Sequence, residues 1–304
     1  MSIRAHAPNL MLPDSAKGIM LALVANAMFV TVGVCVRQIS DNIDVFQILL
    51  FRQLVFITVL SPSIYKNLDT LLRPRMLKLH ALRIGGAFFA LLLGFVTVSN
   101  LPLAEATALG FSKVLFVALF ARFLLNEAIG KSRLTTIVTG FAGVMLVVQP
   151  SLENMTFLYT LTGLGSAVAA AVAVFCVKKI IHVESKTNLL VYQAFFVGLL
   201  TLLPSIIYWK WPTAFELAIL IFIGLISSAA QWISVTAYSY GEANVISNVE
   251  YTKMIYSIFL GYFFFAELPD ALSVAGVMII LASAFIPQLL KKRTMRRQTA
   301  LQLK

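Results

Sequence analysis

The chain has 304 residues, 60% of them apolar and 12% charged, with a formal charge of +11. Soluble domains run near ~45–50% apolar and ~25% charged, so this composition excludes both a water-soluble enzyme and a disordered chain. The basic residues fall between apolar runs and form no stripe on a soluble face, which argues against nucleic acid as a partner.

Apolar stretches at 17–39, 44–65, 80–100, 102–125, 134–149, 157–178, 188–208, 214–238, 243–265 and 269–290 predict ten transmembrane helices. A helix crosses the bilayer core with about 17–25 apolar residues, and lipid admits helices because every backbone polar group must be satisfied internally. In the first stretch Ala25-Asn26-Ala27 has the look of a signal-peptide cleavage site. The apolar run continues to Val36, so a first spanning helix is the expectation. Asn100 and Pro102 predict a turn between the third and fourth stretches. Residues 1–16 read as a short arm and 291–304 as a basic tail.

Ten crossings place both termini on one side. With that side cytosolic, 18 of the 24 Lys and Arg residues face inward, while Arg37 and Lys210 face outward. This is the asymmetry of a protein inserted by the positive-inside rule, so an inner-membrane location with cytosolic termini is expected. The remaining four, Arg52, Lys113, Arg122 and Lys253, lie inside helices.

The sequence repeats. Leu60-Ser61-Pro62-Ser63-Ile64-Tyr65 echoes Leu203-Pro204-Ser205-Ile206-Ile207-Tyr208, and Ala142-Gly143-Val144-Met145 returns as Ala275-Gly276-Val277-Met278. Ser112-Lys113 with Glu127 matches Thr252-Lys253 with Glu267. The halves are residues 1–150 and 151–304. Five helices per half is an odd number, so the second half must insert upside down, as in the inverted repeats of secondary transporters. Cys35 and Cys176 occupy one repeat position twice and therefore fall on opposite sides. No disulfide or metal site is expected of them.

These features, with Lys17-Gly18, Phe51-Arg52, Leu101-Pro102-Leu103-Ala104-Glu105-Ala106-Thr107-Ala108-Leu109, Leu124-Leu125-Asn126-Glu127 and Phe264-Phe265-Ala266-Glu267, resemble the drug/metabolite transporter superfamily, in its bacterial EamA-like branch. The resemblance implies two five-helix repeats around a central cavity, with helices 5 and 10 contributing packing at the far end. Members of this branch usually carry a proline partway along helices 4 and 9, where this chain has Val114 and Met254, each preceded by a lysine.

Those lysines are the leading candidates. Lys113 and Lys253 each lie about ten residues into a helix, near mid-depth at ~1.5 Å per residue. A mid-membrane lysine costs at least ~2.5–3.5 kcal/mol, so each needs a cavity or a partner. Two cations on a pseudo-twofold axis suit a carboxylate- or phosphate-bearing ligand. Plastid phosphate translocators of the same superfamily look similar, with basic residues on these two helices. Glu250, three residues before Lys253, has the spacing of an internal ion pair and no carboxylate counterpart in the first half, making it the proton-coupling candidate. Arg52 is read as a second anion anchor or a structural pair. Gln231, Trp232, Asn244, Asn248, Tyr251 and Tyr256 are candidates to line the cavity. Glu105 and Glu242 suit the first turn of a helix, where a carboxylate complements the dipole, and His80 and His182 read as solvated.

No Gly-rich nucleotide loop, His-Glu-x-x-His motif or hydrolytic triad stands in the sequence. The expectation is therefore a secondary transporter, not an enzyme, with no cofactor and no metal. It moves a small anionic or zwitterionic metabolite by alternating access, as a monomer or homodimer. The alternative is an exporter of cationic or neutral compounds using Glu250 as its acidic site.

Overall fold

The computed structural model describes residues 14–71, 73–125, 131–149, 155–180, 183–240 and 249–283. Among these residues, helices stand at all ten predicted positions, and no strand is present. They are α1 (Asp14–Ile39), α2 (Val45–Lys66), α3 (Leu77–Asn100), α4 (Leu103–Leu125), α5 (Lys131–Val148), α6 (Met155–Ile180), α7 (Lys186–Ile207), α8 (Ala214–Tyr240), α9 (Thr252–Phe265) and α10 (Ala271–Ser283). α1, α2, α3, α6, α7 and α8 are each long and apolar enough to cross a membrane by length and composition.

Several helix starts are capped by side chains. Asp44 accepts the Phe46 N–H at 2.8 Å to start α2, and Ser185 accepts the Asn188 N–H at 3.2 Å to start α7. Thr213 and Glu216 form a reciprocal capping box at the start of α8. Such caps satisfy the orphan N–H groups of a helix start, each worth about 1 kcal/mol. The predicted turn at Pro102 is present: α3 ends at Asn100 and α4 begins at Leu103.

The packing has the symmetry that the sequence repeat implies. α1 lies along α8, and α3 lies along α6. Adding five to each helix of one pair gives the other. α2 packs on its own counterpart α7, and α4 on its counterpart α9. These two self-pairs bracket the centre of the molecule, with the α1–α8 and α3–α6 pairs as walls between them and α5–α10 as a third self-pair outside.

At the margin, α5 crosses α10 at the repeated Ala-Gly-Val-Met segments. A Cβ on Gly143 would stand 2.9 Å from the Gly276 carbonyl oxygen, and one on Gly276 would stand 2.7 Å from that of Gly143. Only hydrogen at these positions lets the backbones approach so closely, the small-residue packing that membrane helices use in place of a hydrophobic driving force. This is the packing role expected of helices 5 and 10.

Candidate functional site: a charged cavity between the two self-pairs

α9 is where local structure departs from the expected continuous helix. The Lys253 N–H bonds to the Glu250 carbonyl at 3.0 Å and the Met254 N–H to that of Tyr251 at 3.1 Å, a tight turn from which the helix starts at Thr252. Val249 is itself helical, so Lys253 stands in the first turn after a break at residues 250–251. α4 runs unbroken through Lys113. Among the described residues this break at 250–251 has no counterpart at the matching place in α4.

Asn26 of α1 clamps that turn. Its side-chain amide donates to the Val249 carbonyl at 2.8 Å and to the Thr252 hydroxyl at 3.1 Å, and the residue is buried. Nothing in the sequence singles out Asn26 beyond its resemblance to a cleavage motif. A buried amide in an apolar helix was the available signal, because such a group must find partners.

The turn brings three charges together. Lys113 Nζ lies 3.5 Å and Lys253 Nζ 3.6 Å from the same oxygen, Oε2 of Glu250. The expected Glu250–Lys253 pair is therefore present, and the partner left open for Lys113 is the same carboxylate on another helix. Lys253 also sits 5.2 Å from the centre of the Phe29 ring, a cation–π contact. Two ammonium groups sharing one carboxylate leave the cluster with a formal charge of +1.

This cluster opens on a cavity of about 390 Å³. α1, α2, α3, α4, α6, α7, α8 and the start of α9 line it. Phe29, Leu91, Phe95, Val98 and Phe111 give it apolar walls, and Gln231 and Ser227 add polar groups from α8. At the α2–α7 end stand Arg52 and Gln193, each the eighth residue of its helix and so at matching repeat positions. Arg52 is 4% exposed. Arg83 of α3, also buried, donates to the Leu189 carbonyl at 2.7 Å and to Gln193 Oε1 at 2.9 Å. By sequence Arg83 counted among the cytosolic charges. In the structure it fastens α3 to α7 and holds Gln193 at the cavity.

The other candidates are distributed as follows. Tyr251 stacks on Phe111, ring centres 5.2 Å apart, and packs against a core cluster of α4, α5 and α10. Tyr256 packs beside Val30, Val34 and Leu103. Neither is among the cavity's lining residues, nor is Trp232, which is 58% exposed. Asn244, Asn248, Glu242, Glu127 and His182 lie outside the described residues, as does the side chain of Arg122.

At the end carrying the basic loops, His80 corrects its sequence reading. It is 2% exposed and lies 3.1 Å from Glu184 Oε2, edge-on to the Tyr192 ring. Burial pushes the Glu184 carboxyl up, but the Arg75 N–H, the His80 ring and the Met76 N–H outweigh it and hold the group below its ordinary value. At the opposite end, Ala266 takes a left-handed conformation (φ 53°) that closes α9 and turns Glu267 back over Gly261. There Glu267 pairs with Arg37 of α1 and accepts the Leu103 N–H at 2.9 Å, capping α4. This contact gives the Phe-Ala-Glu motif a structural purpose.

A helical membrane protein built as two interlocking five-helix repeats around a central charged cavity has the construction of a transporter. The sequence model of the EamA-like transporter family matches it twice, over residues 16–149 and 157–287, and the chain belongs to that family. An S-adenosylmethionine uptake transporter of Rickettsia bellii is 28% identical over 265 residues, covering 86% of this chain and 90% of that protein. The pseudopaline exporter CntI of Pseudomonas aeruginosa is 25% identical over 280 residues, covering 90% of this chain and 97% of that protein. A solved crystal structure superposes with a TM-score of 0.66 at 16% identity, covering 92% of this chain and 99% of that one, which shows the fold. The chain is a multi-pass membrane transporter of small molecules, not an enzyme.

Proposed function

We propose that the protein is a secondary transporter of a small anionic or zwitterionic metabolite, whose carboxylate-type head group is held by Lys113 and Lys253. The observation that carries this reading is the pair of lysines from α4 and α9 sharing one oxygen of Glu250 at the cavity wall. Each ammonium has three donors, and among the described residues Glu250 is the one carboxylate they share. An incoming carboxylate completes the cluster, and a substrate ammonium is accommodated by Glu250 in exchange. The start of α9 adds the positive end of its dipole, a recurring device for anionic groups at broken transporter helices.

The relatives bear on the head group. S-adenosylmethionine carries an α-amino carboxylate, and that zwitterion matches a cluster of two cations and one anion. One named relative serves uptake and another export, so the reading rests on the cavity and not on direction. A cargo with cationic charge alone meets two lysines around the single acid, which disfavours the alternative of Glu250 acting as a simple cation site. Protonating Glu250 changes the cluster charge by one and releases both lysines, and for that reason we assign the coupling role to it. Alternating access follows in this reading from rocking one repeat against the other about the axis through α2–α7 and α4–α9. The basic loops at 66–78 and 178–186 face the cytosol, in an inner membrane, and the Arg37 end faces outward.

The test uses the purified full chain. A carboxylate-bearing metabolite that binds must raise the unfolding temperature of the wild type, and Lys113→Ala must abolish that rise. Ligand stabilisation of the same size in the variant defeats the head-group assignment.

A further inference from the structure

Arg52 is unexplained by a head-group site at Lys113, Lys253 and Glu250. It stands on α2, at the opposite self-pair, and lines the same cavity. The residue is 4% exposed, its Nη1 is sealed with no hydrogen-bond partner, and no hydrogen bond or ion pair ties its guanidinium to any of the described residues. Burying a guanidinium without an acceptor is costly, since buried charges otherwise shift, pair or bind a ligand. The chain does not lack the means to satisfy a buried arginine. Arg83, equally buried and reaching the same α2–α7 end, has found the Leu189 carbonyl and Gln193. Gln193, the repeat partner of Arg52, gives its carbonyl oxygen to Arg83 and not to Arg52.

Depth supports a shared ligand. Arg52 is the eighth residue of α2 and Lys113 the eleventh of α4, and both helices begin at the same end of the molecule. At ~1.5 Å per residue their depths differ by only ~5 Å, so the two poles face one another across the slot, not along the transport direction. Between them the walls are apolar: Phe29, Leu91, Phe95 and Phe111. A cavity of about 390 Å³ falls in the ~300–1,000 Å³ range of small-molecule sites.

We propose that the substrate is two-headed: one carboxylate-type group at the Lys113–Glu250–Lys253 cluster, an aliphatic or flat middle against the aromatic walls, and a second anionic group paired with Arg52. Including Arg52, the charged groups lining the cavity sum to +2. A zwitterionic head with a second carboxylate, or a plain dicarboxylate, complements that charge where a simple neutral amino acid does not. A planar guanidinium receives a carboxylate through two parallel hydrogen bonds, which makes Arg52 the residue that selects for the second group. This inference rests on the head-group reading above, and its test separates the two.

The test is ligand-dependent thermal unfolding of the full chain in detergent, with three pairs of amino acids of increasing length. The pairs are glutamate and norvaline, 2-aminoadipate and norleucine, and 2-aminopimelate and 2-aminoheptanoate. Within each pair a terminal carboxylate replaces a methyl group at constant length. The expected result is that, in at least one pair, the dicarboxylate binds at least about tenfold more tightly, as a site built for a polar group discriminates against its absence. Arg52→Gln should bring that ratio close to one. Arg52→Lys, which keeps the charge and is the safer variant to fold, should leave an intermediate ratio. Lys113→Gln should weaken both members of a pair together. No preference in the wild type, no binding by any member, or a preference that survives both Arg52 variants overturns the two-headed assignment. A Lys113→Gln variant that binds as the wild type does overturns the head-group reading, whatever happens at Arg52.

Discussion

Glu184 is a small residue-scale device with a measurable consequence. Its carboxylate ties the loop before α7 to the start of α3, accepting the Arg75 N–H at 2.8 Å and the Met76 N–H at 3.3 Å beside His80. Because its folded-state carboxyl is held below its ordinary value, it adds stability above the unfolded value near ~4.3, and that stability drains away as pH falls through the folded one. Glu184→Gln should therefore unfold at a lower temperature than the wild type at neutral pH. The gap should close progressively below about pH 4.5, read from unfolding temperatures across a pH series. A gap that stays constant down to pH 3 would show that the residue acts through shape alone. Residue identity was legible in the sequence here, but not burial: nothing in the spacing of His80 or Arg83 distinguishes a solvated residue from one sealed against α7.

Among elements, α5 and α10 test how close two helices must lie. The Gly143–Gly276 crossing leaves no room for a side chain on either backbone. Gly143→Leu should destabilise the protein by about 1–3 kcal/mol, the usual cost of overpacking, visible as a lower thermal midpoint with the cavity ligand absent. Gly85, with nothing within 4 Å of its would-be Cβ, is the matched control and should tolerate the same change. The Gly-containing repeat was plain from sequence because small residues at helix crossings recur as a motif. The break before α9 was not. It depends on Asn26 reaching across 223 residues of sequence to the Val249 carbonyl, a contact no local pattern announces.

At the scale of the whole molecule, the proposed orientation has a direct check. With Cys35 and Cys176 replaced, a cysteine at Asp41, in the α1–α2 turn, should react with an impermeant thiol reagent added outside intact cells. A cysteine at Asp69, in the α2–α3 connection, should react only after the membrane is opened. The reverse pattern would place the basic loops outside and refute the cytosolic assignment.

The sequence by itself determined the class, the ten helices, their inverted duplication and the two lysines, because apolar run length, charge distribution and repetition are one-dimensional properties. Tertiary structure decided which charges meet. It put Lys113 and Lys253 on one oxygen of Glu250, left Arg52 without a partner among the described residues, and placed Tyr251, Tyr256 and Trp232 off the cavity wall. The physical reason is that helix rotation and crossing choose each side chain's neighbours, and these are set by contacts between residues a hundred or more positions apart. The excess of basic residues thus divides: most lie between the helices, where the proposed orientation puts them on the cytosolic side, and Arg52, Lys113 and Lys253 line the cavity.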